Sequence, residues 1–190
     1  MRELSLNVMD VAQNSVSAGA TLIEISVRED LAADELSITV KDNGCGMTPE
    51  QVSHVIDPFY TTRTTRSVGL GVPLFKMEAE MTGGSFAIDS EKGKGTVLTA
   101  LFKPSSVDMI PLGDVNSTIQ LLVSCNPQLD FVFTRSLRTA GGEEREFSMK
   151  TRELREVLGE DVPLSDPEVV LWMKEYLSEQ TEVLLQTEGH

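Results

Sequence analysis

Asp10 and Asn14 lie four residues apart in Asn7-Val8-Met9-Asp10-Val11-Ala12-Gln13-Asn14-Ser15. On a helix this spacing puts both side chains on one face. The amide oxygen of Asn14 is a hard, neutral ligand that suits Mg2+, which takes few protein ligands and shares its shell with phosphates and water. The Asp10 carboxylate is placed to orient or deprotonate an attacking water. Farther along, Asp42 heads Asp42-Asn43-Gly44-Cys45-Gly46-Met47. A buried carboxylate at a strand end accepts a hydrogen bond from the exocyclic amine of adenine. Guanine presents a carbonyl there, and two acceptors would face each other unpaired. Gly44 and Gly46 let the backbone approach a base without a side-chain clash. Each feature also has a bland counterpart: exposed helix polars, and a plain turn after a strand.

Two later clusters change the weighting, Val68-Gly69-Leu70-Gly71 and Gly93-Lys94-Gly95-Thr96. Ahead of the first, Asp57–Val68 has no periodicity and holds Arg63 and Arg66, the only bases between Lys41 and Lys76. Guanidinium groups match phosphate oxygens two at a time. Gly69, Leu70 and Gly71 open the next helix, so backbone N–H groups and the helix dipole would meet phosphates there. No Gly-Lys-Ser/Thr follows, so this is not a Walker loop. Taken together, the clusters outline a pocket for ATP with Mg2+.

The elements that must position these groups read as follows. Leu4, Val8, Val11 and Ser15 recur at helical spacing, which predicts an amphipathic helix over 3–17. Alternation predicts strands over Thr21–Arg28 and Glu35–Lys41. Thr48-Pro49-Glu50 opens a short helix. Leu70–Met81 reads as a helix, and Ser85–Asp89 and Thr96–Lys103 as strands. The expected fold class is α+β, a two-layer sandwich of helices over a mostly antiparallel sheet, with a small C-terminal α/β appendage. The expected division is 1–104, a linker at 105–113, and 114–190. In the last part, helices are expected over Asn116–Cys125, over Thr151–Leu158 and after Ser165-Asp166-Pro167-Glu168. A hairpin of Leu129–Arg135 and Arg145–Met149 lies between them.

The net charge of −14 speaks against nonspecific binding to nucleic acid or to a membrane surface, which rely on basic patches. Residues 1–104 carry 14 acids and 9 bases, and residues 105–190 carry 16 acids and 7 bases. The excess in the second half reads either as solubility or as a docking surface for a basic partner. Cys45 and Cys125 sit in no metal or redox spacing and read as reduced thiols in a cytoplasmic protein. The start of the chain has no signal-peptide character. His54 precedes Asp57-Pro58-Phe59 and reads as a surface or packing residue rather than a phosphoacceptor.

The order and spacing of the four clusters resemble the ATP-binding fold shared by gyrase, Hsp90, histidine kinases and MutL, the Bergerat type. Asn14-Ser15-Val16-Ser17-Ala18-Gly19-Ala20 resembles the Asn-Ser-x-Asp-Ala-Gly-Ala segment of MutL-type ATPases. The resemblance implies that Asn14 holds Mg2+, that Asp42 and Thr96 hold adenine, and that Asp10 stands where hydrolysing members carry Glu. Asp is one methylene shorter, so slow turnover is expected. Ser17 also departs from the pattern, replacing an acid. Pro58-Phe59-Tyr60-Thr61-Thr62-Arg63 resembles the lid of bacterial histidine kinases and of anti-sigma-factor serine kinases. The chain also resembles small stand-alone ATP-binding proteins of anaerobic bacteria, some encoded near iron-only hydrogenases, which implies a hydrogenase-related protein partner. Two functions compete on this footing. One is a protein kinase or phosphotransfer regulator acting in trans, since no helical hairpin bearing a phosphoacceptor histidine is expected ahead of residue 3. The other is an ATP-gated interaction module with slow hydrolysis. A homodimer stays open under either.

Overall fold

The computed structural model describes residues 2–59 and 71–186. Their elements are α1 (Leu4–Ser17), β1 (Leu22–Asp30), β2 (Glu35–Asp42), α2 (Pro49–Val55), α3 (Gly71–Met81), β3 (Ser85–Glu91), β4 (Gly95–Phe102), α4 (Val115–Cys125), β5 (Asp130–Arg138), β6 (Glu144–Lys150), α5 (Thr151–Leu158) and α6 (Pro167–Leu185). Local signals set several ends. Thr48 and Gln51 form a capping box on α2, with Pro49 in its first turn. Asp114 accepts from the Ser117 N–H at 2.9 Å, and Asp166 accepts from the Glu168 N–H at 2.9 Å, so each caps its helix with a side-chain oxygen. Gly19 follows α1 with φ +76°, a backbone turn that costs glycine little.

The described strands form one sheet in the order β3-β4-β2-β1-β5-β6. All neighbours are antiparallel except β1 and β5, which run parallel from Leu22 opposite Asp130 to Asp30 opposite Arg138. The strands of residues 114–190 therefore join the sheet of residues 1–104 instead of making a sheet of their own. Strand β5 runs three residues past Arg135, where the alternation had been read as ending. Arg135 is buried within the strand and meets Glu29 at 3.2 Å. A paired charge thus occupies a position that the sequence pattern reserves for apolar side chains. The expected linker is strapped down as well: Leu4 N–H donates to the Pro111 carbonyl, Ser5 N–H to that of Leu112, and Ser105 bonds Asp34 at the tip of the first hairpin.

Helices α3, α1, α4 and α6 lie in a row on the sheet, with α1 between α3 and α4, and α4 beside α6. Ile23, Ile25 and Val27 of β1, Ile38 and Val40 of β2, and Phe131 and Phe133 of β5 are buried beneath them. Period-two alternation sends Ser26, Thr39, Thr99 and Thr134 to the other, half-buried face. This is the expected two-layer α+β arrangement. Leu4, Val8, Val11 and Ala12 bury one stripe of α1. At about 1.5–3 kcal/mol for each large side chain, that burial fixes the rotation of α1 and so the direction in which Asp10 and Asn14 point.

Candidate functional site

A cavity of about 390 Å3 opens between α1, α2, the start of α3 and the ends of β2, β3 and β4. Asn14, Ser15, Asp42, Gly46 and Thr96 line it, with Val11, Val40, Val72, Ile88 and Leu98 as apolar walls. Flat apolar walls with a few polar groups at one end suit a heterocyclic base. The polar end is built in detail. Asp42 is the last residue of β2 and stands opposite Thr96 on β4. The Ser15 hydroxyl donates to Oδ2 of Asp42 at 2.6 Å, and the Gly44 N–H donates to Oδ1 at 2.9 Å. Two donors from two elements hold the carboxylate in one orientation while each oxygen keeps a free lone pair. The Thr96 hydroxyl bonds that of Ser90 at 2.7 Å, and Ser90 in turn accepts from the Met47 N–H at 2.8 Å.

The loop after Asp42 is held by backbone bonds. Cys45 N–H donates to the Ala18 carbonyl at 2.9 Å, and Gly93 N–H donates to the Cys45 carbonyl at 2.6 Å. A Cβ on Gly46 would sit 2.0 Å from the Glu91 carbonyl oxygen, and one on Gly44 would sit 2.9 Å from the Cβ of Ala18. In this structure the clearance these glycines provide is measured against neighbouring chain segments. Gly46 also has φ +67°, a region unfavourable to residues with a Cβ.

The position of the end expected to meet phosphates follows from α1. Asp10 lies one turn before Asn14, about 6 Å along the axis at 1.5 Å per residue. There it meets Gly71, the first residue of α3: a Cβ on Gly71 would lie 2.6 Å from that of Asp10. The close approach brings a carboxylate to the N-terminal end of α3, where the helix dipole favours anions. Desolvation by burial raises the Asp10 pKa above the ordinary Asp value. Asp10 is not among the residues lining the cavity and lies beyond its wall. Arg63, Arg66, Gly69 and Leu70, expected at this end, lie outside the described residues.

Some residues at the site were not singled out in the sequence. Ser15 reads in the sequence as part of the buried stripe of α1 and of the Asn-Ser-x-Asp-Ala-Gly-Ala resemblance, with no role of its own, and a hydroxyl on that stripe is the available signal. The Asn7 amide donates to Glu78 on α3, and Glu78 also pairs with Arg2 at 3.0 Å. Burial raises the Glu78 pKa, and Arg2 and Asn7 offset only part of the rise. The buried Asn7–Glu78 bond ties α1 to α3, the two helices on which Asp10 and Gly71 meet. Among the described residues no group of three or more His, Cys, Asp or Glu forms a metal site by itself. An Mg2+ ion held here would complete its shell with triphosphate oxygens and water, which fits a single amide ligand at Asn14.

Ser15→Ala removes one of the two donors on Asp42. We predict about tenfold weaker ATP and adenosine binding, the value of a hydrogen bond to a charged group. Isothermal titration of both ligands checks this, and a loss confined to ATP would contradict it.

Residues 1–106 match the family model described as histidine kinase-, DNA gyrase B-, and HSP90-like ATPase. The chain is 33% identical over 94 residues to sensor histidine kinase YvrG of Bacillus subtilis, a match covering 47% of this chain and 16% of that protein. It is 36% identical over 101 residues to sensor protein SrrB of Staphylococcus aureus, covering 50% of this chain and 17% of that one. The matched region is thus about a sixth of the length of these relatives. The crystal structure of the N-terminal domain of a DNA repair protein shares the fold, with a TM-score of 0.52 and 18% identity over 78% of this chain and 53% of that one. The chain belongs to the histidine kinase-, DNA gyrase B- and HSP90-like ATPase family, and residues 1–106 are its ATP-binding domain.

Proposed function

We propose that this domain binds Mg-ATP and passes the γ-phosphoryl group to a partner protein in trans. The observation that carries the nucleotide part is the Asp42 carboxylate, locked by Ser15 and Gly44 at the polar end of an otherwise apolar cavity. The kinase part is supported by the relative named as a sensor histidine kinase, with a second named as a sensor protein, and by the sequence around Arg63 and Arg66 that resembles a kinase lid. In this reading Asp42 and Thr96 hold adenine, Asn14 is the metal ligand, and Arg63, Arg66 and the N–H groups of Gly69, Leu70 and Gly71 hold the phosphates. Bound Mg2+ would neutralise phosphate charge. Asp10 accepts the proton of the nucleophile as its oxygen bonds to the γ-phosphorus and the bond to ADP breaks. We place the protein in the cytoplasm because Cys45 and Cys125 are both free. No described helix is long and apolar enough to cross a membrane.

A second reading, an ATP-gated interaction module with slow hydrolysis, is favoured by one observation. Asp10 stands against the first residue of α3 as a general base for water would, yet with a short arm. Incubation with γ-labelled ATP and candidate partners separates the two readings. Label on a partner is the expected result, and label released only as inorganic phosphate would favour the switch. Failure to bind ATP would overturn both.

For Asn14→Ala, we predict that the tightening of ATP binding by Mg2+ falls tenfold or more, whereas adenosine binding stays within twofold of the unmodified protein. Titrations with and without a chelator check this. An equal loss for adenosine and Mg-ATP would point to a misfolded cavity and remove the metal assignment.

A further inference from the structure

A second concavity is larger than the nucleotide cavity. A groove of about 680 Å3 lies between β6, α5 and α6, at the opposite edge of the sheet from β3 and β4. Leu154 and Val157 of α5 form one side, and Trp172 and Tyr176 of α6 form the other. Val157 is 86% exposed and Trp172 45% exposed. The two aromatic rings are stacked, with centroids 5.0 Å apart and planes at 12°. The Tyr176 hydroxyl donates to the Ser148 carbonyl of the edge strand at 3.4 Å, which holds the stack over β6. Exposed Trp172 and Val157, with half-buried Tyr176 and Leu154 beside them on one concavity, are the composition of a binding hot spot.

The charge around the groove selects its occupant. Residues 151–179 carry eight acids and three bases. The bases are turned elsewhere: Arg152 and Arg155 both pair with Asp130, and Lys174 lies toward Asp114. Lys150 at the groove is matched by Glu153 at 3.8 Å. Asp166 and Glu168 remain on the rim. A second copy of this chain would bring the same acidic rim and a net charge of −14 against it.

We propose that this groove docks a segment of a partner protein bearing an apolar anchor residue flanked by lysine or arginine. The anchor sits between Val157 and Trp172. A flanking guanidinium stacks on the Trp172–Tyr176 face and pairs with Glu168. The assignment is independent of the nucleotide reading, because it uses none of the residues of the ATP cavity.

The test selects peptides from a phage-displayed random 12-residue library on the immobilised full chain, with the Val157→Asp variant as counter-selection. Val157 is almost fully exposed, so the substitution leaves the core intact, and a matching thermal melt verifies this. Selected peptides lacking Trp are then titrated while emission is read from Trp172, the only tryptophan in the chain. The expected result is enrichment of an apolar residue flanked by basic ones, with a saturable change in Trp172 emission. Val157→Asp and Glu168→Lys should each weaken binding tenfold or more. Absence of enrichment over Val157→Asp, or enrichment of acidic or uncharged peptides, would overturn the proposal. So would a concentration-dependent dimer that Val157→Asp dissolves in sedimentation experiments.

Discussion

Asp42→Asn should weaken ATP and adenosine binding by at least ~30-fold, the equivalent of about 2 kcal/mol for a buried polar group left unmatched. The reason lies in the two donors that fix the carboxylate. Gly44 offers a backbone N–H, which cannot reverse its polarity, so the single amide oxygen of asparagine must stay there. The NH2 group then takes the place of Oδ2 beside Ser15, whose hydroxyl can rotate to accept from it. The local fold is therefore kept, but the site has exchanged an acceptor for a donor. The exocyclic amine of adenine loses a partner and meets like polarity. Isothermal titration measures the loss, and a thermal melt close to that of the unmodified chain shows that it is not unfolding. Undiminished ATP affinity in Asp42→Asn would remove this carboxylate as the reader of the base.

The parts of this site that could be read from sequence are those written in local patterns. The stripe Leu4, Val8, Val11, Ser15 gave α1 and hence the shared face of Asp10 and Asn14. Alternation gave β1 and β2 and put Asp42 at a strand end. Partner choice between distant segments has no local signature. Strand β5 was legible as a strand, but nothing in Phe131-Val132-Phe133 says that it lies parallel to β1, a hundred residues earlier. The reading of residues 114–190 as a second unit followed from that gap. Polar residues on buried faces are hard to place for the same reason. Arg135 reads as a strand end, and Asn7 carries no local sign of the bond it makes. Each satisfies a partner from another element, Glu29 and Glu78, that no local pattern connects to it. The hydroxyl of Ser15 is the intermediate case, visible as a polar residue on a buried stripe although its bond to Asp42 is not.

The second large effect is expected at Asp10. For Asp10→Asn we predict a fall of about 10²–10⁴ in phosphoryl transfer or hydrolysis, the contribution of a positioned general base, with ATP affinity within twofold of the unmodified chain. Whether the nucleophile is water or a hydroxyl, its proton must leave as the bond to the γ-phosphorus forms, and asparagine cannot accept it. Asp10 lies outside the cavity lining, so nucleotide binding has little to lose. The pH dependence follows from the raised pKa. The base acts when ionised, so activity should fall as pH is lowered through a value above the ordinary 3.8 of aspartate. The residual rate of Asp10→Asn should lack that acid limb. Stability has the opposite sign. A carboxyl whose folded pKa is raised costs stability as pH rises from 3.8 through the folded value. Asp10→Asn should therefore melt no lower than the unmodified chain at neutral pH, a small effect because Asp10 remains exposed. Asp10→Glu adds the missing methylene, and single-turnover measurements should show it to be faster than the unmodified chain if reach limits the rate. A slower Asp10→Glu would mean that contact with Gly71, rather than arm length, sets the position of the base. An Asp10→Asn variant with undiminished turnover would show that the proton leaves by another route, even if ATP binding at Asp42 stood.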